Sequence, residues 1–137
     1  MIEPTSEPRW VPRWVPRAVV DALHADLVRT FGGAHGLRDD GLLESALARP
    51  RHKWSYDPTA DISALAAAYA VGVACNHAFI DGNKRTAFQT MSVFLGLNGL
   101  LLRALQPEVV LVMRDVATKA IDEGALAEWV RAHVEAR

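Results

Sequence analysis

Cysteine is scarce in the sequence: Cys75 is the only one among 137 residues. A lone cysteine cannot form an intramolecular disulfide, and this one lies in an apolar run, so we expect a buried, unreactive thiol and a reducing, cytoplasmic compartment. Neither an HExxH pattern nor a cysteine cluster indicates zinc. At this length a chain hides roughly two thirds of its unfolded surface, so a core can form without cross-links.

Excess charge and long apolar runs are also scarce. The formal net charge is -1, so we expect no direct binding to nucleic acid driven by bulk charge. The alanine-rich stretch at residues 62–78 is moderately apolar and shorter than the roughly 18 residues of a spanning helix. The first ten residues carry acids and prolines where a signal peptide has a basic and then an apolar run. We therefore expect neither membrane insertion nor export.

The amino-terminal residues contain a direct repeat, RWVP, at residues 9–12 and again at 13–16. Proline at every fourth position prevents a regular helix, so we predict an extended arm over residues 1–16. The repeat is either a partner-binding peptide built on Trp10 and Trp14, or a duplicated tetrapeptide with one tryptophan folded onto the core and the other loosely attached. We favour the second interpretation.

Helical periodicity covers most of residues 17–137, and no alternating strand pattern of useful length occurs. We predict one all-α domain, a compact bundle of about six helices. The alanine-rich helix is apolar on nearly every side, so it belongs at the centre of the bundle. The predicted segments are a helix from Pro16 to Gly32, a short helix from Asp39 or Asp40 to Pro50, a basic loop at 49–59, the central helix capped by Asp61, a helix closed by Asn98 and Gly99, and two segments at 107–122 and 125–137 separated by Gly124.

Between the central helix and the next one lies HAFIDGNKRTAF, residues 77–88, which crowds ionisable groups beside the core. A helix amino terminus presents unpaired N–H groups and the positive end of a dipole, and Gly82 lets the backbone approach a ligand closely. Lys84 and Arg85 fall in the first helical turn, where cations are unfavourable unless a phosphate lies nearby. The pattern therefore indicates a phosphate-binding turn.

Two further side chains in this stretch suit transfer chemistry. His77 precedes the turn, and a neutral imidazole can take a proton from a hydroxyl. Asp81 could bind Mg²⁺ through one carboxylate when water and phosphate oxygens supply the other ligands. The ordinary alternative is that Asp81 caps the helix, that His77 binds carbonyls and that the basic side chains are solvated. A P-loop is excluded, because GNKRT lacks the glycine spacing of GxxxxGK[ST].

The segment HAFIDGNKR resembles the signature of the Fic/Doc family, HxFx[D/E]GN followed by a basic or glycine position and arginine. The likeness takes in FGGAHGLRDDGLLESAL, the central helix and FLGLNG, and so covers about residues 17–137. Fic adenylyltransferases continue GNGRxxR with a proline after the histidine, whereas this chain has Lys84, Phe88 and Ala78 at the differing positions. With lysine at position 84, the chain resembles the Doc, or death-on-curing, toxin branch of the family.

This resemblance implies a toxin of a toxin–antitoxin pair, a protein kinase that transfers the γ-phosphate of ATP to a threonine of elongation factor Tu and blocks translation. His77, Asp81 and Arg85 would be its catalytic residues, with His77 as general base and Asp81 as the ligand of Mg²⁺. The phosphates of ATP would be held by Gly82, Asn83, Lys84 and Arg85.

The resemblance also implies how the protein is inhibited. The inhibitory helix of many Fic proteins reads [S/T]xxxE[G/N], and the nearest stretch here, TKAIDEG from Thr118, has one residue too many. We therefore expect a separate antitoxin whose carboxy-terminal helix enters an apolar groove.

Several alternatives stay open. AMP transfer to a protein hydroxyl is one, although Lys84 and Phe88 disfavour it. A non-catalytic helical binding module, such as a DNA-binding helix-turn-helix that uses Arg85 or the basic loop, is another. The cluster of Arg49, Arg51, His52 and Lys53 either helps to dock nucleotide or target, or is solvated.

Overall fold

The computed structural model describes residues 10–137, and the part of the predicted arm before Trp10 lies outside the described residues. The all-α prediction with six helices is confirmed over this range. Two short strands, β1 and β2, also pair antiparallel. The elements are α1 (Arg17–Phe31), α2 (Asp40–Tyr56), α3 (Ile62–Asn76), α4 (Asn83–Leu97), β1 (Leu100–Leu102), α5 (Gln106–Ala117), α6 (Glu123–His133) and β2 (Val134–Ala136).

Helix α3 lies at the centre and packs against α2, α4, α5 and α6. Ala66, Ala67 and Ala70 are fully buried, and their small side chains let neighbouring helices approach closely. The helix begins as predicted, because the Asp61 carboxylate accepts a hydrogen bond of 2.9 Å from the Ala64 N–H. None of the helices within residues 10–137 combines the length and the apolar character that a membrane span requires.

Helix α2 is longer than the sequence predicts. Asp39 caps it by accepting a bond from the Leu42 N–H, but the helix continues through Pro50 to Tyr56. Pro50 lacks the N–H that would bond to the Ala46 carbonyl, and it is buried at its position in the helix. The predicted stop at Pro50 and the predicted basic loop are therefore wrong, and most of that loop is the second half of α2.

The carboxy-terminal segments also differ from the prediction. Gly124 lies inside α6 rather than between two helices, and Asp122 caps α6 by accepting a bond from the Ala125 N–H. The chain leaves the helix after His133, and its last residues pair with β1. Three-residue strands are too short to produce a recognisable alternation, so the sequence pattern missed both of them.

Residues 10–16 form neither helix nor strand and run across the bundle. The Trp14 ring stacks on Phe94 with centroids 5.8 Å apart, and the Val15 N–H donates to the Tyr69 hydroxyl at 3.0 Å. Trp10, by contrast, is 50% exposed. One tryptophan of the repeat therefore packs on the core, while the other does not. The division into an arm at 1–16 and a domain at 17–137 stays a prediction.

Candidate active site

The turn between α3 and α4 carries the crowded polar stretch. Helix α3 ends at Asn76, and His77 follows in the left-handed conformation with φ 52°, which is uncommon for a residue other than glycine. Gly82, with φ 79°, starts α4. The chain thus reverses over residues 77–82, and the His77 side chain is left exposed.

Two side chains hold this turn from opposite sides. The Asn83 amide bonds to both backbone groups of Phe79, accepting from its N–H at 3.1 Å and donating to its carbonyl at 2.9 Å. From α1, the buried His24 donates through Nε2 to the Asp81 carbonyl at 2.7 Å. The His24 ring also stacks on Phe79, with centroids 3.8 Å apart.

The connection between α1 and α2 runs alongside the turn and pairs with it. The Arg38 N–H donates to the Ala78 carbonyl at 2.7 Å, and the Ile80 N–H donates to the Gly36 carbonyl at 3.1 Å. The Ala34 N–H donates to the Asp81 carboxylate at 3.0 Å, and the Arg38 guanidinium donates to the His77 carbonyl at 2.8 Å. The backbone around His77 and Asp81 is therefore fixed by a second segment of chain.

The amino terminus of α4 lacks a cap from any side chain in the described part of the protein. Its first turn therefore presents N–H groups at the positive end of the helix dipole. Lys84 and Arg85 are both exposed there, and the Arg85 guanidinium lies 4.4 Å from the centre of the Phe31 ring. This arrangement suits an anion, and the phosphate-binding role of the turn stays a prediction.

A cavity of about 600 Å³ opens beside this helix end, between α1, α4 and α5. Residues 81–85 are among its lining residues, and Phe31, Phe88, Val110 and Met113 are among the apolar ones. Its size suits a ligand of a few hundred daltons. The cavity therefore combines the start of α4 and its basic side chains with an apolar lining.

The structure brings five of the six predicted site residues to one cavity. Asp81, Gly82, Asn83, Lys84 and Arg85 all line it, whereas His77 does not and is exposed on the preceding turn. Asn83 reaches the cavity, but both polar atoms of its side chain bind the Phe79 backbone. One hydrogen of its amide nitrogen is not used by these bonds, so its expected role in holding phosphate stays a prediction.

Asp81, the expected magnesium ligand, could coordinate a metal ion through one carboxylate oxygen. One oxygen of the Asp81 carboxylate accepts the bond from Ala34, which leaves the other available. Within residues 10–137, no three acidic, histidine or cysteine side chains gather closely enough to bind a metal by themselves. Asp81 therefore suits a Mg²⁺ ion that takes its remaining ligands from water and phosphate oxygens.

The predicted basic cluster does not converge on this site. Arg49 and Lys53 both pair with Glu123 of α6, at 2.7 Å and 2.6 Å. Burial raises the pKa of Glu123, but its bonds to Lys53 and Arg49 outweigh that effect and hold the pKa below the ordinary value. Arg51 lies over the Trp14 ring, 5.6 Å from its centre. Half of the cluster therefore joins α2 to α6.

Sequence reasoning missed two parts of the site. The pattern predicts a helix stop at Gly32 and Gly33, but it does not predict that the connection at residues 32–39 pairs with the turn. His24 was not singled out, although it is a histidine between Val20 and Val28 on the buried face of α1. A polar residue within an apolar stripe was the available signal.

Comparison with known proteins shows the family of the chain. The model described as the Fic/DOC family matches residues 14–95, which include the whole turn and α4 as far as Leu95. The chain belongs to the Fic/Doc family. Among the relatives of this Fic/Doc protein is "Protein kinase doc" of Escherichia phage P1, 32% identical over 110 residues that cover 80% of this chain and 86% of the relative.

A second relative of this Fic/Doc chain is "Toxin Doc" of Mycolicibacterium smegmatis (strain ATCC 700084 / mc(2)155). It is 39% identical over 100 residues, which cover 71% of this chain and 77% of the relative. Membership of the family therefore rests on a family model and on two relatives that are matched along most of their length.

Proposed function

We propose that this Fic/Doc protein is a toxin of a toxin–antitoxin pair and acts as a protein kinase, transferring the γ-phosphate of ATP to a protein hydroxyl. The observation that carries the proposal is the uncapped amino terminus of α4, which opens with Lys84 and Arg85 onto a cavity large enough for a nucleotide. The printed names of the two relatives, a protein kinase and a toxin, support the same assignment.

In this proposal the phosphates of ATP lie against the first turn of α4. The N–H groups after Gly82, together with the Lys84 and Arg85 side chains, neutralise the charge that develops as the phosphoryl group moves. Asp81 would hold Mg²⁺, which when bound offsets further negative charge on the phosphates. The Phe31 ring keeps the Arg85 guanidinium at the mouth of the cavity.

His77 is the proposed general base. Its exposed side chain, on a backbone held by Arg38, is accessible to the hydroxyl of another protein. The imidazole takes the hydroxyl proton while the oxygen forms a bond to the γ-phosphorus. The bond from that phosphorus to the bridging oxygen breaks, and ADP leaves. We propose a threonine of elongation factor Tu as the acceptor, which blocks translation in the cytoplasm.

We propose that the antitoxin binds to the apolar lining of the cavity. Phe31 and Val110 are 59% and 64% exposed, and both line the cavity, so they suit the apolar face of a helix. We propose that the carboxy-terminal helix of the antitoxin binds there. Val110→Glu should weaken the complex with the small protein of the neighbouring gene, and unchanged binding would place the antitoxin elsewhere.

The deciding experiment incubates the purified protein with elongation factor Tu, Mg²⁺ and ATP labelled at either the γ or the α phosphorus. Label should pass from γ-labelled ATP alone, and His77→Ala should reduce transfer by about a hundredfold or more, the range of general-base catalysis. Arg137→Ala, remote in sequence from the turn, is the matched control. Label from α-labelled ATP alone would replace phosphate transfer with AMP transfer, and no transfer of either label would favour a binding module.

A further inference from the structure

The only histidine on helix α1 within the described residues is placed in a position that needs explanation. His24 is 5% exposed and lies on the same face as the buried Val20 and Val28. Burying an imidazole without partners is costly, so a histidine at such a position is expected to make specific contacts. The hydrogen bond and the ring stacking of His24 both reach the turn between α3 and α4.

The first contact fixes the proton on the ring. Nε2 lies 2.7 Å from the carbonyl oxygen of Asp81, and a carbonyl only accepts hydrogen bonds, so Nε2 carries a hydrogen. The bond reaches from α1 across 57 positions of sequence. It holds the peptide group that joins Asp81 to Gly82, where the candidate metal ligand and the start of α4 meet.

The second and third contacts cover the same turn. The His24 ring stacks on Phe79 with an angle of 9° between the planes. Its Nε2 lies 3.7 Å from the position that a Cβ on Gly82 would occupy, which is ordinary contact distance. The ring therefore contacts Phe79, two residues before Asp81, and the Asp81 peptide, and it lies beside Gly82.

We infer that His24 is a positioning residue of the active site, which sets the direction of the Asp81 carboxylate and of the first N–H groups of α4 through its bond to the Asp81 carbonyl. It lines no part of the cavity, so it acts through the turn and not on the substrate. Misplacement of catalytic groups by about 1 Å can cost a hundredfold in rate. The inference rests on the proposed phosphate transfer for its kinetic test only.

Two variants of His24 distinguish the effect of its hydrogen bond from the effect of its ring stacking. His24→Phe keeps an aromatic ring against Phe79 and removes the donor, whereas His24→Gln keeps an N–H near the position of Nε2. We expect His24→Phe to lower kcat about tenfold, the equivalent of one lost hydrogen bond, with KM for ATP changed less than about twofold. His24→Gln should recover most of that loss. Val20→Ala, which is buried on the same helix, is the control for reduced stability and should keep kcat.

Nuclear magnetic resonance tests the inference without the reaction. Nitrogen shifts of the wild-type His24 ring should show that Nε2 carries a hydrogen. Amide hydrogen exchange at Gly82, Asn83 and Lys84 should become faster in His24→Phe, return towards wild type in His24→Gln and stay unchanged in Val20→Ala.

The outcomes distinguish the two claims. If the wild-type protein transfers no phosphate, the proposed function fails, while the tautomer and the exchange rates still decide the role of His24. The inference is overturned if Nε2 carries no hydrogen, or if exchange at the turn is the same in His24→Phe and wild type. It is also overturned if phosphate transfer occurs and His24→Phe keeps the wild-type kcat, or if His24→Gln loses as much as His24→Phe.

Discussion

At the scale of single residues, Asn83 shows how one side chain of a functional motif is used for structure. The resemblance to the Fic/Doc signature implies that Asn83 helps to hold phosphate. In the structure its amide oxygen and nitrogen both bind Phe79. The motif places Asn83 at the start of α4, but sequence alone could not tell that its amide binds the backbone of the preceding turn.

Replacement of Asn83 tests that role. Asn83→Ala removes two hydrogen bonds to Phe79 and should lower the free energy of unfolding by about 1–3 kcal/mol. Lys84→Ala, at the exposed neighbouring position, should change it by less than about 0.5 kcal/mol. Urea unfolding of the two variants measures the difference. Equal stability of both variants would mean that the Asn83 amide does not hold the turn.

At the scale of elements, helix α2 was predicted correctly at its start and wrongly at its end. The Asp39 cap was readable because a local hydrogen bond defines it. Continuation past Pro50 was not readable, because packing against the rest of the protein stabilises a helix that the local sequence disfavours. Close contact with α3 is visible at Gly72, where an added Cβ would lie 2.8 Å from the Ala46 carbonyl oxygen.

The contact between α2 and α3 reverses the usual effect of a helical glycine. Gly72→Ala would ordinarily stabilise a helix by about 0.5–1 kcal/mol, but here the new methyl group meets the Ala46 backbone, so we expect a net loss of about 1–3 kcal/mol. Gly96→Ala in α4 is the matched control, since its Cβ would lie at an ordinary 3.5 Å from Arg137. Thermal and urea unfolding should show loss in the first variant and no loss in the second. Stabilisation by Gly72→Ala would refute the close contact.

An ion pair joins the start of α3 to α6 and makes stability depend on pH. Arg131 donates twice to Asp61, at 2.7 Å and 2.9 Å, and this holds the pKa of the Asp61 carboxyl below its ordinary value. A lowered folded-state pKa gives stability that is present above the unfolded pKa of about 4 and is lost as the pH falls. Both side chains are substantially exposed, so the contribution is about 1 kcal/mol or less.

Arg131→Gln should therefore be less stable than the wild type at pH 7, and the two should converge as the pH falls below about 4. Urea unfolding at pH 7 and pH 3 measures this difference. Glu128→Gln removes the other carboxylate that Arg131 contacts and should leave most of the pH-dependent difference in place. A difference between wild type and Arg131→Gln that stays constant with pH would exclude a contribution from the Asp61 carboxylate.

At the scale of the whole molecule, the sequence predicted the class and the centre of the fold but not how the chain closes. Helical periodicity and the alanine-rich stretch identified α3 as the central helix, because burial on every side leaves a direct mark on composition. The pairing of β1 with β2 and that of residues 32–39 with the turn depend on contacts between distant segments. Such contacts leave little local pattern. His24 differs, because its place between Val20 and Val28 on α1 was a local signal of a specific contact.

The account depends on one spatial claim, that the phosphates of ATP bind at the turn carrying Gly82 within reach of His77. A crystal structure with a non-hydrolysable ATP analogue and Mg²⁺ tests it most directly. We predict that phosphate oxygens lie about 3 Å from the N–H groups at the start of α4, with the terminal phosphate facing the His77 imidazole. A nucleotide bound elsewhere, or phosphates on the side of the turn away from His77, would contradict the account.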